Sequence, residues 1–271
     1  TRSGTWVLTA VAAVLYLAFC WLFADGLLTG AAGEAVAWYS SPIVTWLLFL
    51  IIIAVGAYQA SKVPSDGLAL ALPHDEVTPG QTDDPRWWRL LTGNVYWSLL
   101  WLPFRFFVGR DWFSHGMEKL GNPAWMDGSG KALAGYWTGA LTIPEGGPSK
   151  IKYDWFRNFL QYMLDHNWAP WFSKVIVFGE ILVGLGIFFG ALVGLAAFFG
   201  TVLNLNFGLA GTASTNPILF GLSVLLVLAW RVAGWWGLDR AILPVFGIRP
   251  NPASAGRALA AAEQILEQRR A

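Results

Sequence analysis

The sequence predicts an all-α integral membrane protein with six transmembrane helices, arranged as a two-helix hairpin followed by a four-helix bundle. Of the 271 residues, 55% are hydrophobic and 13% are charged, and the mean hydropathy is +0.49. A helix needs about 20 apolar residues to cross the hydrocarbon core. The chain contains about six runs close to that length, so its first expected partner is the lipid bilayer.

The composition also excludes several kinds of site and partner. The 18 basic and 17 acidic residues nearly balance, which gives no sign of a nucleic-acid partner. Cys20 is the single cysteine, so the chain alone can form neither a disulfide nor a thiolate-held iron–sulfur cluster. The three histidines, His74, His115 and His166, do not have metal-ligand spacing. We therefore expect no metal or haem ligated by this chain alone.

Residues 1–61 are predicted to form the amino-terminal transmembrane hairpin. Its apolar runs cover about residues 5–28 and 42–60, and the segment between them contains Glu34 but no lysine or arginine. Arg2 and Lys62 flank the opposite ends of the two helices. Because positive residues favour the cytoplasmic side of a membrane, the amino terminus is predicted to be cytoplasmic.

Two polar regions border the rest of the chain. Residues 62–96, rich in acidic residues and prolines, are predicted as a polar cytoplasmic linker followed by an interfacial segment. Residues 246–271 are predicted as a cytoplasmic tail that contains four arginines. With six crossings both termini lie in the cytoplasm, which predicts a multi-pass protein of the prokaryotic inner membrane.

Residues 97–245 are predicted to form the four-helix bundle. Its spans are expected at about residues 97–120, 171–189, 195–209 and 217–235. The intervening residues 121–170 form an external loop dotted with tryptophans, which favour the headgroup level of a bilayer. Within this loop, residues 154–165 are expected to form a short helix at the membrane interface.

The first span of this bundle carries cations and glycines on one stripe. On a 3.6-residue period the stripe consists of Arg105, Gly109, Trp112, Gly116 and Lys119. A charge inside a membrane must face protein or water and find a counter-ion. Glu180, near the middle of the next span, is the candidate partner for Arg105 or Lys119.

Three runs in this bundle resemble the motifs of the DoxX/DoxD family of membrane proteins. The run that resembles the opening helix of the family is Arg105-x3-Gly109-x6-Gly116-x2-Lys119-Leu120, followed by Asn122-Pro123-x-Trp125. The run that resembles the second helix is Gly179-Glu180-x3-Gly184-Leu185-Gly186-x3-Gly190. The closing motif is similar to Gly237-Leu238-Asp239-Arg240.

The resemblance implies a four-helix membrane module and a possible reaction. The DoxD branch is the large subunit of thiosulfate:quinone oxidoreductase, which couples oxidation of thiosulfate to tetrathionate with reduction of a quinone. It works with a small DoxA subunit. The first functional hypothesis is therefore a quinone-linked oxidoreductase subunit, with quinone as cofactor and a DoxA-like partner.

The residues allow a site for this reaction to be predicted. A sulfur anion needs a cationic pocket and a quinone needs an apolar slot. The expected substrate-binding residues are Arg105, Lys119, Glu180, Trp112 and Gly116. His115 is the candidate catalytic residue because the ordinary pKa of histidine allows proton exchange near neutral pH. Asp111, four residues earlier on the helix, is expected to orient it.

A second hypothesis has no catalysis. An Arg105–Glu180 pair equally suits a structural role that fixes the register of two helices. The additional hairpin, the lack of redox ligands and the 17 tryptophans are typical of an accessory subunit in a larger respiratory or photosynthetic membrane complex. Whether the chain is an enzyme is left open by its residues.

Overall fold

The computed structural model describes residues 2–24, 26–30, 37–62, 84–145, 147–212 and 214–248. Throughout these ranges every regular element is a helix. The longer helices are α1 Arg2–Phe23, α2 Pro42–Lys62, α3 Arg86–Gly93, α4 Trp101–Leu120, α5 Lys131–Leu141, α6 Asp154–Asp165, α7 Ala169–Phe189, α8 Val193–Leu209 and α9 Asn216–Leu228. Short helical turns cover Gly26–Thr29, Trp38–Ser40, Val95–Leu100, Pro123–Met126, Trp230–Ala233, Asp239–Ile242 and Leu243–Phe246.

The all-α prediction is confirmed for the part of the chain that the structure describes, and in that part three helices are long and apolar enough to cross a membrane. These are α1, α2 and α7, with 22, 21 and 21 residues. Helices α8 and α9 are apolar but shorter, with 17 and 13 residues. Helix α4 has 20 residues and contains Arg105, Arg110, Asp111, Glu118 and Lys119.

Helix α4 lies at the centre of the main hydrophobic core. It packs against α1 on one side and against α7 on the other, while α8 packs against α7 and α9. Large side chains that are fully buried in this core include Tyr16, Ile52, Leu102, Val108 and Ile187. The two arginines of α4, Arg105 and Arg110, are therefore enclosed by other helices, whereas Glu118 near the end of the helix is exposed.

The region predicted as an external loop contains a second core of its own. Helix α6 has the bounds predicted for a short helix, and α5 and the turn Pro123–Met126 precede it. Leu133 and Trp137 of α5 pack with Phe156, Leu160 and Met163 of α6. This core also includes residues at the start of α7, so α5 and α6 are attached firmly to one end of the bundle.

The two polar regions are described only in part. The predicted interfacial segment includes α3, a strongly amphipathic helix on which Trp87 is exposed. Residues 63–83 of the predicted linker, and the predicted tail from residue 249 onward, lie outside the described residues.

Candidate functional site

The predicted stripe of α4 lies along a close contact with α7, which we call the α4–α7 seam. A methyl group at Gly109 would lie 2.7 Å from the backbone nitrogen of Phe188. One at Gly116 would lie 2.9 Å from the nitrogen of Ile181, and one at Gly184 would lie 2.5 Å from the nitrogen of Phe113. Glycine is thus required on both helices, because any side chain would push the backbones apart.

Arg105 lies at one end of the seam and is 1% exposed. Its Nε donates to the carbonyl of Ile187 at 2.9 Å, and Nη2 donates to Phe188 at 2.8 Å. Its Nη1 donates to Trp236 at 3.0 Å and to Ala233 at 3.2 Å. The guanidinium therefore donates to carbonyls in the last turn of α7, where intrahelical donors run out, and links them to the turns after α9. The Ile187 carbonyl also accepts from the N–H of Gly190 at 3.3 Å.

A tight turn beside Arg105 is closed by Asp239. The Asp239 carboxylate accepts hydrogen bonds from the backbone N–H groups of Leu192 at 2.6 Å and Val193 at 3.1 Å, at the start of α8. Burial raises the pKa of this carboxyl, and the two amide hydrogen bonds oppose that shift. Gly190 has a φ of +71°, and a methyl group there would overlap the Arg105 guanidinium. The turn thus needs glycine for both its conformation and its space.

Lys119 and Glu180 form an ion pair at the other end of the seam. The Lys119 Nζ lies 2.9 Å from Glu180 Oε1 and 2.7 Å from Oε2. The Glu180 side chain is 1% exposed and the Lys119 side chain 19%. Of the two pairings predicted for Glu180, the structure forms the one with Lys119 and keeps Arg105 apart. Lys119 also lies 5.5 Å from the centre of the Trp125 ring.

His115 and Asp111 lie beside this ion pair, on the same end of α4. The Nδ1 of His115 lies 2.9 Å from the Asp111 carbonyl oxygen and 3.1 Å from its carboxylate. The His115 side chain is 46% exposed, whereas that of Asp111 is 16% exposed. The predicted contact of His115 with Asp111 is therefore present, and close to half of the His115 side chain is reached by solvent.

A second buried arginine, Arg110, was not among the predicted site residues. Its Nε donates to the carbonyl of Tyr39 at 2.5 Å, and Nη2 donates to Ser41 at 2.8 Å. Its Nη1 donates to the Thr45 hydroxyl at 2.5 Å. Arg110 thus fixes the start of α2 to α4 and joins the hairpin to the bundle. Since its acceptors are mostly main-chain carbonyls, no sequence pattern pointed to this role.

The middle of the seam is apolar except for Trp112, which is 3% exposed. The Trp112 indole packs against Gly200 of α8. Within the described ranges, neither Trp112 Nε1 nor the side-chain amide of the buried Asn204, one turn along α8, has a hydrogen-bond partner. Trp112 is thus buried against α8, and Gly116 lies in the close contact with α7, and their predicted role in substrate binding stays a prediction.

A shallow cleft of about 400 Å³ opens at the Arg105 end, between α2, α4 and the end of α7. Its walls are mostly apolar and include Leu48, Phe106 and Trp236, with Arg105 behind them. The cleft has the chemistry to admit an apolar chain or a flat ring, but it offers no free cation for a sulfur anion.

The predicted cationic site is divided between the two ends of α4. Arg105 and Lys119 are 14 residues apart, which corresponds to about 21 Å along a helix. Each cation already has protein partners. The described residues also contain no group of three or more histidine, cysteine, aspartate or glutamate side chains able to hold a metal. The arrangement can stabilise the seam at both ends and can exchange protons at His115.

The chain matches no family model, no curated protein and no solved structure. The resemblance to DoxX/DoxD proteins, and the quinone and DoxA-like partners that it implies, therefore stay predictions.

Proposed function

We propose that the chain is a non-catalytic accessory subunit of a larger energy-transducing complex in the prokaryotic inner membrane. One observation carries this proposal: the cations predicted to bind substrate already have protein partners. Arg105 is bound by carbonyls and Lys119 by Glu180. We therefore expect other molecules to bind the outer surface of the protein and not the α4–α7 seam.

In this proposal six segments cross the bilayer, namely α1, α2, α4, α7, α8 and α9 extended by Trp230–Ala233. The charges on α4 do not argue against a crossing, because Arg105 and Arg110 are buried among neighbouring helices. Arg2 and Lys62 at the ends of the hairpin favour a cytoplasmic amino terminus. The Arg105 end of α4 then lies near the cytoplasm, and the Lys119 end lies on the external side.

The hairpin is the surface that we assign to the partner. Arg110 ties the start of its second helix to α4 through hydrogen bonds to Tyr39 and Ser41, which positions the hairpin relative to the bundle. Trp21 of α1 and Trp46 of α2 are 68% and 47% exposed. Large aromatic side chains on a rigid surface are typical anchors of protein interfaces.

Purification from native membranes in a mild detergent tests this proposal. A tagged chain should elute with at least one other subunit in fixed stoichiometry. Trp21→Ala and Trp46→Ala should weaken that association, whereas Trp171→Ala on α7, with a similarly exposed tryptophan, serves as the matched control. A chain that elutes alone, with a bound quinone, contradicts the proposal.

A second candidate is the quinone-linked oxidoreductase of the thiosulfate:quinone type, which the exposed His115 and the apolar cleft favour. His115 lies ten residues from Arg105, or about 15 Å along the helix, so the proton-exchanging group and the cleft do not adjoin. We rank this candidate second for that reason. Reduction of a quinone analogue by thiosulfate, with any small subunit supplied, would support it if His115→Gln abolished turnover. Lack of turnover at every thiosulfate concentration would exclude it.

A further inference from the structure

We propose that α6 is an interfacial anchor, which lies in the headgroup layer of the bilayer with one aromatic flank turned towards the lipid. The helix belongs to the region between α4 and α7. The inference rests on how its side chains are distributed and on the surface that continues from it, and is independent of the functions proposed above.

Helix α6 has a buried face and an aromatic flank. Phe156, Leu160 and Met163 are buried in the second hydrophobic core. At 100° per residue, Trp155, Phe159 and Tyr162 lie about a quarter turn away from them. These three aromatic side chains are 62%, 41% and 50% exposed.

The side of α6 opposite the core is polar. Its exposed residues are Asp154, Asn158, Gln161 and Asp165, and Gln161 donates a hydrogen bond to Asp165 at 2.8 Å. The two exposed surfaces thus differ sharply in chemistry although they belong to one helix. A helix at a membrane surface shows this division, with an apolar flank in the acyl boundary and polar groups in water.

The aromatic flank continues into a helix that is long and apolar enough to span the bilayer. The Tyr162 ring lies 6.0 Å from Trp168, and Trp168 lies 5.4 Å from Trp171, in the first turn of α7. From Trp171 an exposed apolar stripe runs along α7 through Val175, Phe178 and Leu182. The flank is therefore the edge of the lipid-facing surface of α7.

The residue types on the flank favour headgroups over a protein partner. Tryptophan and tyrosine concentrate at membrane interfaces, where an apolar ring and a polar tip are both solvated. The flank contains no Asp, Glu, Lys or Arg side chain that would select a partner. His166 continues the flank by stacking on Tyr162, with ring centres 3.9 Å apart.

Site-directed spin labelling of the full chain in lipid vesicles tests this inference. Cys20 is buried and is first replaced by serine. Single cysteines then carry a nitroxide at position 159 or 155 on the aromatic flank, and at position 158 or 161 on the polar face. Collision with oxygen, which dissolves in lipid, is compared with collision with a water-soluble nickel chelate in vesicles of phosphatidylcholine and phosphatidylglycerol.

Labels at 155 and 159 should collide several-fold less with the chelate than labels at 158 and 161, and more with oxygen. Equal access of the chelate to all four positions would place α6 in water and overturn the inference. A label at 159 that is shielded from both reagents would indicate a protein cover and would also overturn it. Because 155 and 159 are tested separately, one variant that fails to fold does not decide the outcome.

Discussion

The two ends of α4 use buried cations in different ways. Arg105 is enclosed, and its hydrogen bonds go to main-chain carbonyls of three segments. Lys119 is paired with one carboxylate, remains 19% exposed, and lies near the half-exposed His115. The first cation donates to carbonyls in the last turn of α7 and in the turns after α9, whereas the second forms an ion pair that solvent can reach. The Lys119 end therefore has a titratable ring, that of His115, which is close to half exposed to solvent.

The largest expected effect is at the enclosed end. Arg105→Leu removes the donor of four carbonyl hydrogen bonds in a buried site, so we expect a loss of about 4 kcal/mol in the free energy of unfolding. Arg105→Lys should recover only a small part of that lost free energy of unfolding, because a single ammonium group cannot donate to the same four carbonyls. Thermal unfolding in detergent, followed by circular dichroism, measures both. Full stability of Arg105→Lys would show that the charge alone matters.

At the Lys119 end, variants of Lys119 and Glu180 should reveal how much their ion pair contributes to the free energy of unfolding. Glu180→Leu leaves Lys119 without its carboxylate in a partly buried site and should cost about 2 kcal/mol. The double variant Lys119→Met/Glu180→Leu removes both charges and should recover most of that loss. The same unfolding measurement completes the double-mutant cycle. The cycle also needs the single variant Lys119→Met, and a double-variant loss equal to the sum of the two single losses would mean that the ion pair contributes no coupling between the helices.

The contact between the two ends should be sensitive to a single methyl group. Gly109→Ala places a carbon 2.7 Å from the backbone nitrogen of Phe188, and we expect a loss of about 1 to 2 kcal/mol. Gly179→Ala on α7 is the matched control, since a methyl group there meets nothing within 4 Å. A Gly109→Ala protein as stable as the control would contradict the close packing of the seam.

How far the sequence predicts this arrangement depends on which partners a side chain uses. The stripe of α4 follows from helical periodicity, and the lone carboxylate of the adjoining span predicts Glu180 as a partner, although the sequence left open whether Arg105 or Lys119 pairs with it. The contacts of Arg105 and Arg110 could not be predicted, because main-chain carbonyls leave no residue pattern. The separation of Arg105 from Lys119, by contrast, was implicit in their spacing and the rise of a helix.

The helical bundle and the region between α4 and α7 also differ in how far the sequence predicts them. Long apolar runs mark the helices, and tryptophans mark the external region. That α5 and α6 share a core of their own depends on side chains far apart in sequence, such as Leu133 and Met163. Single-chain periodicity contains no information about such pairings, so the second core was not predicted.

The smallest expected effect concerns the accessible end. His115→Gln should change the free energy of unfolding by less than about 1 kcal/mol, because the ring is close to half exposed and an exposed pair such as His115–Asp111 contributes little. The same variant should associate with the partner subunit as the unchanged protein does. If the His115→Gln protein no longer co-purified with the partner subunit, His115 would belong to the interface, which contradicts the assignment of that interface to the hairpin.

The central claim is that the charged seam stabilises the helices and binds no sulfur anion. Thermal unfolding at increasing thiosulfate concentration tests it directly, because a ligand that binds only the folded protein raises the transition temperature by mass action. The account predicts the same small change with thiosulfate as with sulfate at equal ionic strength. A saturable rise specific to thiosulfate, and absent from Lys119→Met/Glu180→Leu, would contradict it.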